Sequence, residues 1–509
     1  MHASTVSLLT ALISYVLYLQ FRSPAIKRNG QALRRPPNTL PLVGNGILFL
    51  QARHKLFSWF VKCERQFGFE TFQISVPSLP PGVVINDPKN LEFVFKHEGI
   101  FAKGQFFKKR SWDLFGNGII NADGELWRVQ RKAGLHFLNN LNLKALTDVV
   151  LPVYLKETVK TLHTVKKGHM IDLQEVFHEL TTQLMGRMAY DMDIHDSDPF
   201  SKAFDYASGA TGERFQNPLY QITEILLGAK FRSSVRKVKA FGSQIVANAI
   251  QSRKRKANGG QKDSTIAPMS GSLINSLLNS IDDEDMVADA ALNYLSAGRD
   301  TTAQALTWTF YLLLRNPAKA EAIRREVMQV IKQGASKMPD TPSCSTQDFN
   351  TADFQPFALP YVTAVFYEAL RLYPPVPFEL KQCEAATTLP DGTFLPKSSI
   401  LLWCTWAMNR SKLIWGKDAE DFKPERWLVD GALISKTAFE YPVFNGGPRT
   451  CLGKSMALAV AVQVIATLQI EFNIELTENK ERISKSSLTL PMEAGLPCFV
   501  NVRPRDGSG

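Results

Sequence analysis

The 509-residue chain has no C-x-x-C pair, and its six cysteines, at 63, 344, 383, 404, 451 and 498, are scattered. That usage argues against zinc ribbons and a disulfide framework and fits a reducing compartment. No G-x-G-x-x-G stretch is present, so the usual nicotinamide and flavin fingerprint is missing. No internal repeat is visible, which argues against a solenoid or propeller. The net charge is +11, yet no RNP-like aromatic stretch or basic zipper accompanies it. The charge therefore points to an acidic partner or an anionic membrane surface, and not to nucleic acid. Nor does any linker force a division into domains. With 45% hydrophobic and 21% charged residues, the chain is long enough to bury one large core and a cofactor.

Charge is absent from Val6 to Phe21, VSLLTALISYVLYLQF. This run is slightly short of the ~20 residues that cross a bilayer, and Ala3 to Phe21 comes close. Arg22, Lys27, Arg28, Arg34 and Arg35 follow it, which places the rest of the chain in the cytosol. A cleaved signal peptide is the alternative, but no basic n-region or A-x-A site is evident. The expected division is an N-terminal membrane anchor and basic flank over 1–33 and a single globular domain over 34–509. The stretch RRPPNTLPLVGN would be a stiff joint between them.

Within the globule, FETFQISVPSLPPGVVINDP carries short β-prone runs broken by proline and glycine, and from about Asp123 helical periodicity dominates. The fold class expected is mainly α with a small β region. Ser252–Gly271 and Gly334–Asn350 read as polar surface loops. The basic cluster Arg253 to Lys256 resembles a nuclear-import or phosphate patch, against the plainer reading of a solvated loop.

Four stretches carry chemistry. In FNGGPRTCLG, Cys451 precedes KSMALAVAVQVIATLQIEF, which predicts a buried helix. Backbone N–H groups at that helix's start, with Arg449 nearby, favour a thiolate. Gly446, Gly447 and Gly453 would let backbone approach a large flat ligand. Against this stands the reading of Cys451 as a small core residue. In DMVADAALNYLSAGRDTTAQALTWTFYLLLRNP, a predicted helix over Asp285 to Pro317, Gly298, Asp300, Thr301 and Thr302 are poor helix choices. They mark a site or a bend. An acid beside an alcohol can hold water and pass protons. In YEALRLYPP, Glu368 and Arg371 share a helical face and can pair, buried or at the surface. In GELWRVQRK, Trp127 and Arg131 stand one turn apart, which alone fits an arginine over an exposed tryptophan.

Phe444, Gly447, Arg449, Cys451 and Gly453 match F-x-x-G-x-R-x-C-x-G, and with AGRDTT, E-x-x-R and W-x-x-x-R in order the chain resembles the cytochrome P-450 haem-thiolate monooxygenases. The resemblance implies the cytochrome P-450 fold and haem b, with Cys451 as axial thiolate ligand of the iron. It implies that Asp300 and Thr301 deliver protons. Trp127, Arg131 and Arg449 would meet the haem propionates, beside Phe444 and Gly453. Lys381 stands where many relatives have arginine, and a lysine cannot fork to a propionate. Glu368, Arg371 and Arg426, the last in FKPERW, would brace the core. An NADPH cytochrome reductase would supply electrons, so NADPH acts only indirectly. A single-pass anchor in the endoplasmic reticulum membrane, with the catalytic domain cytosolic and in contact with lipid, completes the expectation.

The reaction implied is insertion of one oxygen atom from O₂ into a C–H bond. A reductase-independent haem-thiolate isomerase would have less use for the Asp300–Thr301 pair, and a haem sensor would need no apolar pocket. Phe106, Phe107, Trp112, Phe115, Ala297, Val376 and Phe378 are the expected pocket wall. FGNGIINADGELWRVQRK and LSAGRDTTAQALTW resemble the branch that hydroxylates fatty acids and alkanes, and an alkyl chain of a polyketide would suit the same walls. A terpenoid or other secondary metabolite is the alternative. Lys103, Lys108, Lys109 and Arg110 could attract a carboxylate at the mouth, or form a solvated loop.

Overall fold

The computed structural model describes residues 7, 10, 11, 13, 14, 25–40, 43–76, 80–217, 219–258, 272–335 and 351–504. Most of the expected anchor, most of the two polar loops, and Cys344 lie outside the described residues. Where the first loop is described it is not a loop: residues 252–257, with the basic cluster Arg253 to Lys256, form the end of the helix Ala229–Ala257.

The β-prone runs form small sheets at one side of a helical body. Ten strands matter here: β1 (Lys27–Arg28), β2 (Gln31–Ala32), β3 (Phe72–Ile74), β4 (Gly82–Val84), β5 (Phe101–Ala102), β6 (Met170–Asp172), β7 (Phe378–Cys383), β8 (Thr387–Thr388), β9 (Thr393–Leu395) and β10 (Ile400–Cys404). One sheet has the order β3-β4-β10-β7-β5, and a second has β2-β1-β9-β8. In the first, β10 runs parallel to β4 and antiparallel to β7, with Lys381 opposite Leu401 and Phe378 opposite Cys404.

The second sheet moves a boundary. Lys27 and Arg28 pair with Phe394 and Thr393, and Ile26 and Leu33 are buried. The chain thus joins the globule at Ile26, before position 34 where the sequence placed the domain's start. Its partner β9 lies far downstream, so nothing local marks residues 26–33 as structured.

Eight helices carry the site: α1 (Arg53–Phe67), α2 (Gly104–Phe115), α3 (Gly124–Phe137), α4 (Leu173–Met185), α5 (Pro199–Gln216), α6 (Glu284–Leu314), α7 (Pro360–Leu372) and α8 (Lys454–Glu471). Asp283 caps α6 by accepting from the N–H groups of Asp285 and Met286, and Glu284 and Asp285 place negative charge on its first turn. The helix then runs unbroken through Gly298 and Thr301. Gly298 has a packing reason: a Cβ there would sit 2.4 Å from Met185 Sδ, so glycine lets α4 and α6 approach.

Helix α8 is apolar on all sides because other elements surround it, with Val460, Val462, Val464, Ile465 and Leu468 fully buried. Among the described residues it is the one helix long and apolar enough to cross a membrane, but 72% of it is buried, as a core helix should be. Trp308 of α6 stacks on Tyr373 at 4.1 Å, and its indole N–H donates to Leu490 O at 2.8 Å. Each large apolar side chain buried in this way contributes about 1.5–3 kcal/mol.

Candidate active site

A cavity of about 500 Å³ opens between the Cys451 loop, α6, α2 and the five-stranded sheet. The loop is held first by backbone: Cys451 N–H donates to Phe444 O at 2.8 Å. Gly447 adopts φ +60°, and a Cβ there would fall 2.2 Å from Phe95 O; a Cβ on Gly446 would strike the Phe95 ring. These two glycines therefore seat the loop on the helix Pro88–Lys96, not on a ligand as the sequence suggested. Gly453 differs, since a Cβ there would meet nothing within 4 Å and the residue lines the cavity.

Cys451 is exposed to the cavity while protein crowds it on its other sides. Burial raises its thiol pKa, against the pull of the Gly453 N–H, Arg131, Lys454 and the Lys454 N–H. The helix-terminus effect is present but burial outweighs it, and a bound metal must displace the proton. Arg449 is engaged by acids of its own: it donates to Glu98 Oε1 at 2.8 Å, Ala122 O at 2.9 Å and Asp123 Oδ1 at 2.9 Å. The other four described cysteines are buried and none lines the cavity.

Cations gather beside Cys451. Arg449 lies 4.2 Å and Arg131 5.5 Å from the Trp127 ring centroid, and Arg131 donates to Thr450 O at 2.8 Å. All three residues line the cavity with Phe444 and Lys381. Lys381 is buried, and its ammonium has no hydrogen-bond partner among the described residues. Burial, then the charges of Lys103 and Arg449, push its ammonium down to about 7.

The opposite wall is α6, where Ala297, Gly298, Thr301 and Thr302 face the cavity. Thr301 Oγ1 donates to Ala297 O at 2.7 Å, one turn back. Asp300 is buried and not among the lining residues; its Oδ1 accepts from Arg299 at 2.7 Å. Arg299 is shared, since it also donates to Asp205 at 2.9 Å and to Asp196. Burial pushes the Asp300 carboxyl up to about 7; Arg299 pulls it down, while Asp205 and Asp196 push with burial. The acid thus lies behind the alcohol and not beside it in the cavity.

Phe106, Phe107, Phe115, Val376 and Phe378 line the cavity, but Trp112 does not. It is 48% exposed on the outer face of α2 with Lys109, while Leu114 and Phe115 turn inward. The roof is hung from α6: Asn293 Nδ2 donates to Phe115 O at 2.9 Å, and its Oδ1 accepts from Ile120 N at 3.1 Å. Asp289, one turn earlier, accepts from Asn117 N at 2.8 Å. Gln304 does the same for the C-terminal loop, accepting from Leu490 N at 2.7 Å and donating to Thr489 Oγ1 at 2.9 Å. Thr489, Tyr294, Phe215 and Arg53 also line the cavity and went unsuspected, because no local pattern marks them.

Glu368, Arg371 and Arg426 lie off the cavity in one buried network. Glu368 accepts from Arg371 Nε and Nη2 at 2.8 Å each, from Arg426 Nε at 2.8 Å, from Trp427 Nε1 at 2.9 Å and from Lys423 N at 3.0 Å. Arg371 also donates to the carbonyls of Asn409, Ala419 and Asp421.

A planar iron cofactor with acid groups needs a soft donor, apolar faces and cations at one edge, and these residues fit haem. One cysteine on the lining among the described residues, Arg131 and Lys381 on the same lining, and open space over Gly453 fit a haem-thiolate site. Residues 35–499 match the cytochrome P450 family model. Cytochrome P450 86B1 of Arabidopsis thaliana is 31% identical over 459 residues, covering 86% of this chain and 80% of the relative. Cytochrome P450 94A1 of Vicia sativa is 27% identical over 493 residues, 92% of this chain and 91% of the relative. The cytochrome P450 monooxygenase cyp1 of Mycosarcoma maydis is 28% identical over 508 residues, 92% of this chain and 76% of the relative. This chain belongs to the cytochrome P450 family. It is an oxygen-incorporating oxidoreductase with haem on a cysteine thiolate, a reductase as redox partner and a hydrophobic substrate.

Proposed function

We propose that the protein hydroxylates a long apolar chain, of a fatty acid, an alkane or a polyketide, with electrons from an NADPH cytochrome reductase. The observation that carries this is the apolar, aromatic-walled cavity with Cys451 and Thr301 both on its lining. Haem held by Cys451 supplies oxygen activation. The chain's own residues would do the rest: Arg131, Lys381 and Arg449 would hold the cofactor's acid groups. The aromatic wall aligns a flexible substrate, whose carbon is selected by orientation and not by C–H reactivity. Thr301 holds a proton at Oγ1, with Asp300 as the acid reservoir behind it. The test is to incubate the reconstituted enzyme with long-chain fatty acids, alkanes and alkyl-chain polyketides and to locate new hydroxyls by mass spectrometry. Turnover confined to rigid polycyclic substrates defeats the reading. In the same assay Thr301→Ala should bind haem and substrate but give several-fold less product per NADPH, and an unaltered yield removes Thr301 from the mechanism.

The chain is further assigned to the endoplasmic reticulum membrane, on the uncharged run from Val6 to Phe21 and the basic residues after it. Deleting residues 1–21 should weaken membrane association and leave the haem site intact, since the deletion spares buried Ile26 and β1. Partial retention by the basic surface is expected. If the full chain and the deletion fractionate alike, the anchor assignment fails.

A further inference from the structure

Five cations line the cavity: Arg53, Lys103, Arg131, Lys381 and Arg449. Four of them gather on the Cys451 side. Lys103 is paired with Glu379 at 3.1 Å, Arg449 with Glu98 and Asp123, and Lys381 feels the charges of Lys103 and Arg449 directly. Arg131 stands with Arg449 at the Trp127 ring. Arg53 stands apart. It opens α1 on the wall shared with Ile74, Val76, Gly82, Ile400 and Leu402, and its guanidinium carbon lies 5.8 Å and 5.7 Å from the ring centroids of Phe57 and Phe378.

Arg53 is only 8% exposed, has no ion pair or hydrogen-bond partner among the described residues, and its Nε is buried without an acceptor. Burial pushes its pKa down to about 10, which leaves it a cation at neutral pH. A guanidinium in apolar surroundings with no acceptor is costly unless something supplies one. The basic residues first suspected of that task are engaged elsewhere or outside. Lys103 holds Glu379, Lys108 holds Asp123 at 2.9 Å, Lys109 is exposed, and Arg110 lies over Phe106 and donates to the carbonyls of Arg214 and Phe106.

We propose that Arg53 is the anion-recognition residue of the cavity, donating to the carboxylate of a long-chain acid whose apolar tail extends along the aromatic wall toward Cys451. This rests on the long-chain reading above and narrows it to free acids. Arginine suits the role because its planar fork matches a carboxylate in a way that lysine cannot. Phe57 and Phe378, whose rings pack 5.2 Å apart, flank the guanidinium on one side, which limits the freedom lost when the acid binds.

The experiment titrates the full-length haem-loaded protein with hexadecanoic acid and with hexadecan-1-ol, reading dissociation constants from the shift of the haem absorption band. The wild type should bind the acid roughly tenfold to a hundredfold more tightly than the alcohol. Arg53→Gln should abolish that preference by weakening the acid alone, and Arg53→Lys should keep part of it. Hydroxylation of the acid should spread over more carbons in Arg53→Gln. Equal binding of acid and alcohol by the wild type overturns the assignment, and needs no variant to fold. Equal weakening of both ligands in Arg53→Gln also overturns it, because the residue then only packs. A wild type that binds and oxidises neither probe, nor any other long chain, sinks the long-chain reading itself.

Discussion

Cys451→Ala should leave a protein whose reduced, carbon monoxide-treated spectrum shows no thiolate signature and whose monooxygenase activity is lost. No other described cysteine reaches the cavity, and burial pushes the thiols of Cys63, Cys383, Cys404 and Cys498 up to about 12. None of these can take over the iron. The protein itself should still fold, because Cys451 faces the cavity behind a loop that Gly446 and Gly447 seat on Phe95. Circular dichroism of the variant should therefore resemble that of the parent. An unchanged carbon monoxide spectrum would remove Cys451 from the iron.

Glu368→Gln should destabilise the fold by about 3–5 kcal/mol, the usual cost of breaking a buried ion pair from one side. Arg371 is fully buried, and its remaining partners are carbonyls that cannot neutralise it. Against a typical total of about 5–15 kcal/mol this is a large share. The expected readings are a lower thermal midpoint and a smaller haem-to-protein absorbance ratio after purification. Arg426→Lys is the milder control, since Arg426 sits at the edge of the network with Asp418 also near it. A Glu368→Gln protein that melts with the parent would show that the network carries no net stability.

The parts of the site legible in the sequence are those whose signals are local. The start of α8 behind Cys451, the turn-to-turn pair of Glu368 and Arg371 and the long apolar course of α6 each follow from spacing within one element. What escaped depends on partners distant in the chain. Gly446 and Gly447 are glycines because of Phe95, Gly298 because of Met185, and Arg449 is matched by Glu98 and Asp123. Trp112 was placed on the wall from aromatic content alone, whereas the helical face, set by Leu114 and Phe115, turns it to solvent. Arg53 gave no signal at all, because an arginine opening a helix looks like any surface residue until the sheet closes over it.

The burial of Ile26 sets a tether length. If the span ends at Phe21, five peptide steps separate it from the first residue fixed in the globule. A fully extended chain covers about 3.3–3.6 Å per residue, so the sheet containing β1 and β9 lies within roughly 17 Å of the end of the span. A globule anchored at that distance could not turn freely. Its reductase would have to approach a body held in a narrow range of poses, and an insoluble substrate would pass from lipid to protein with little exposure to water.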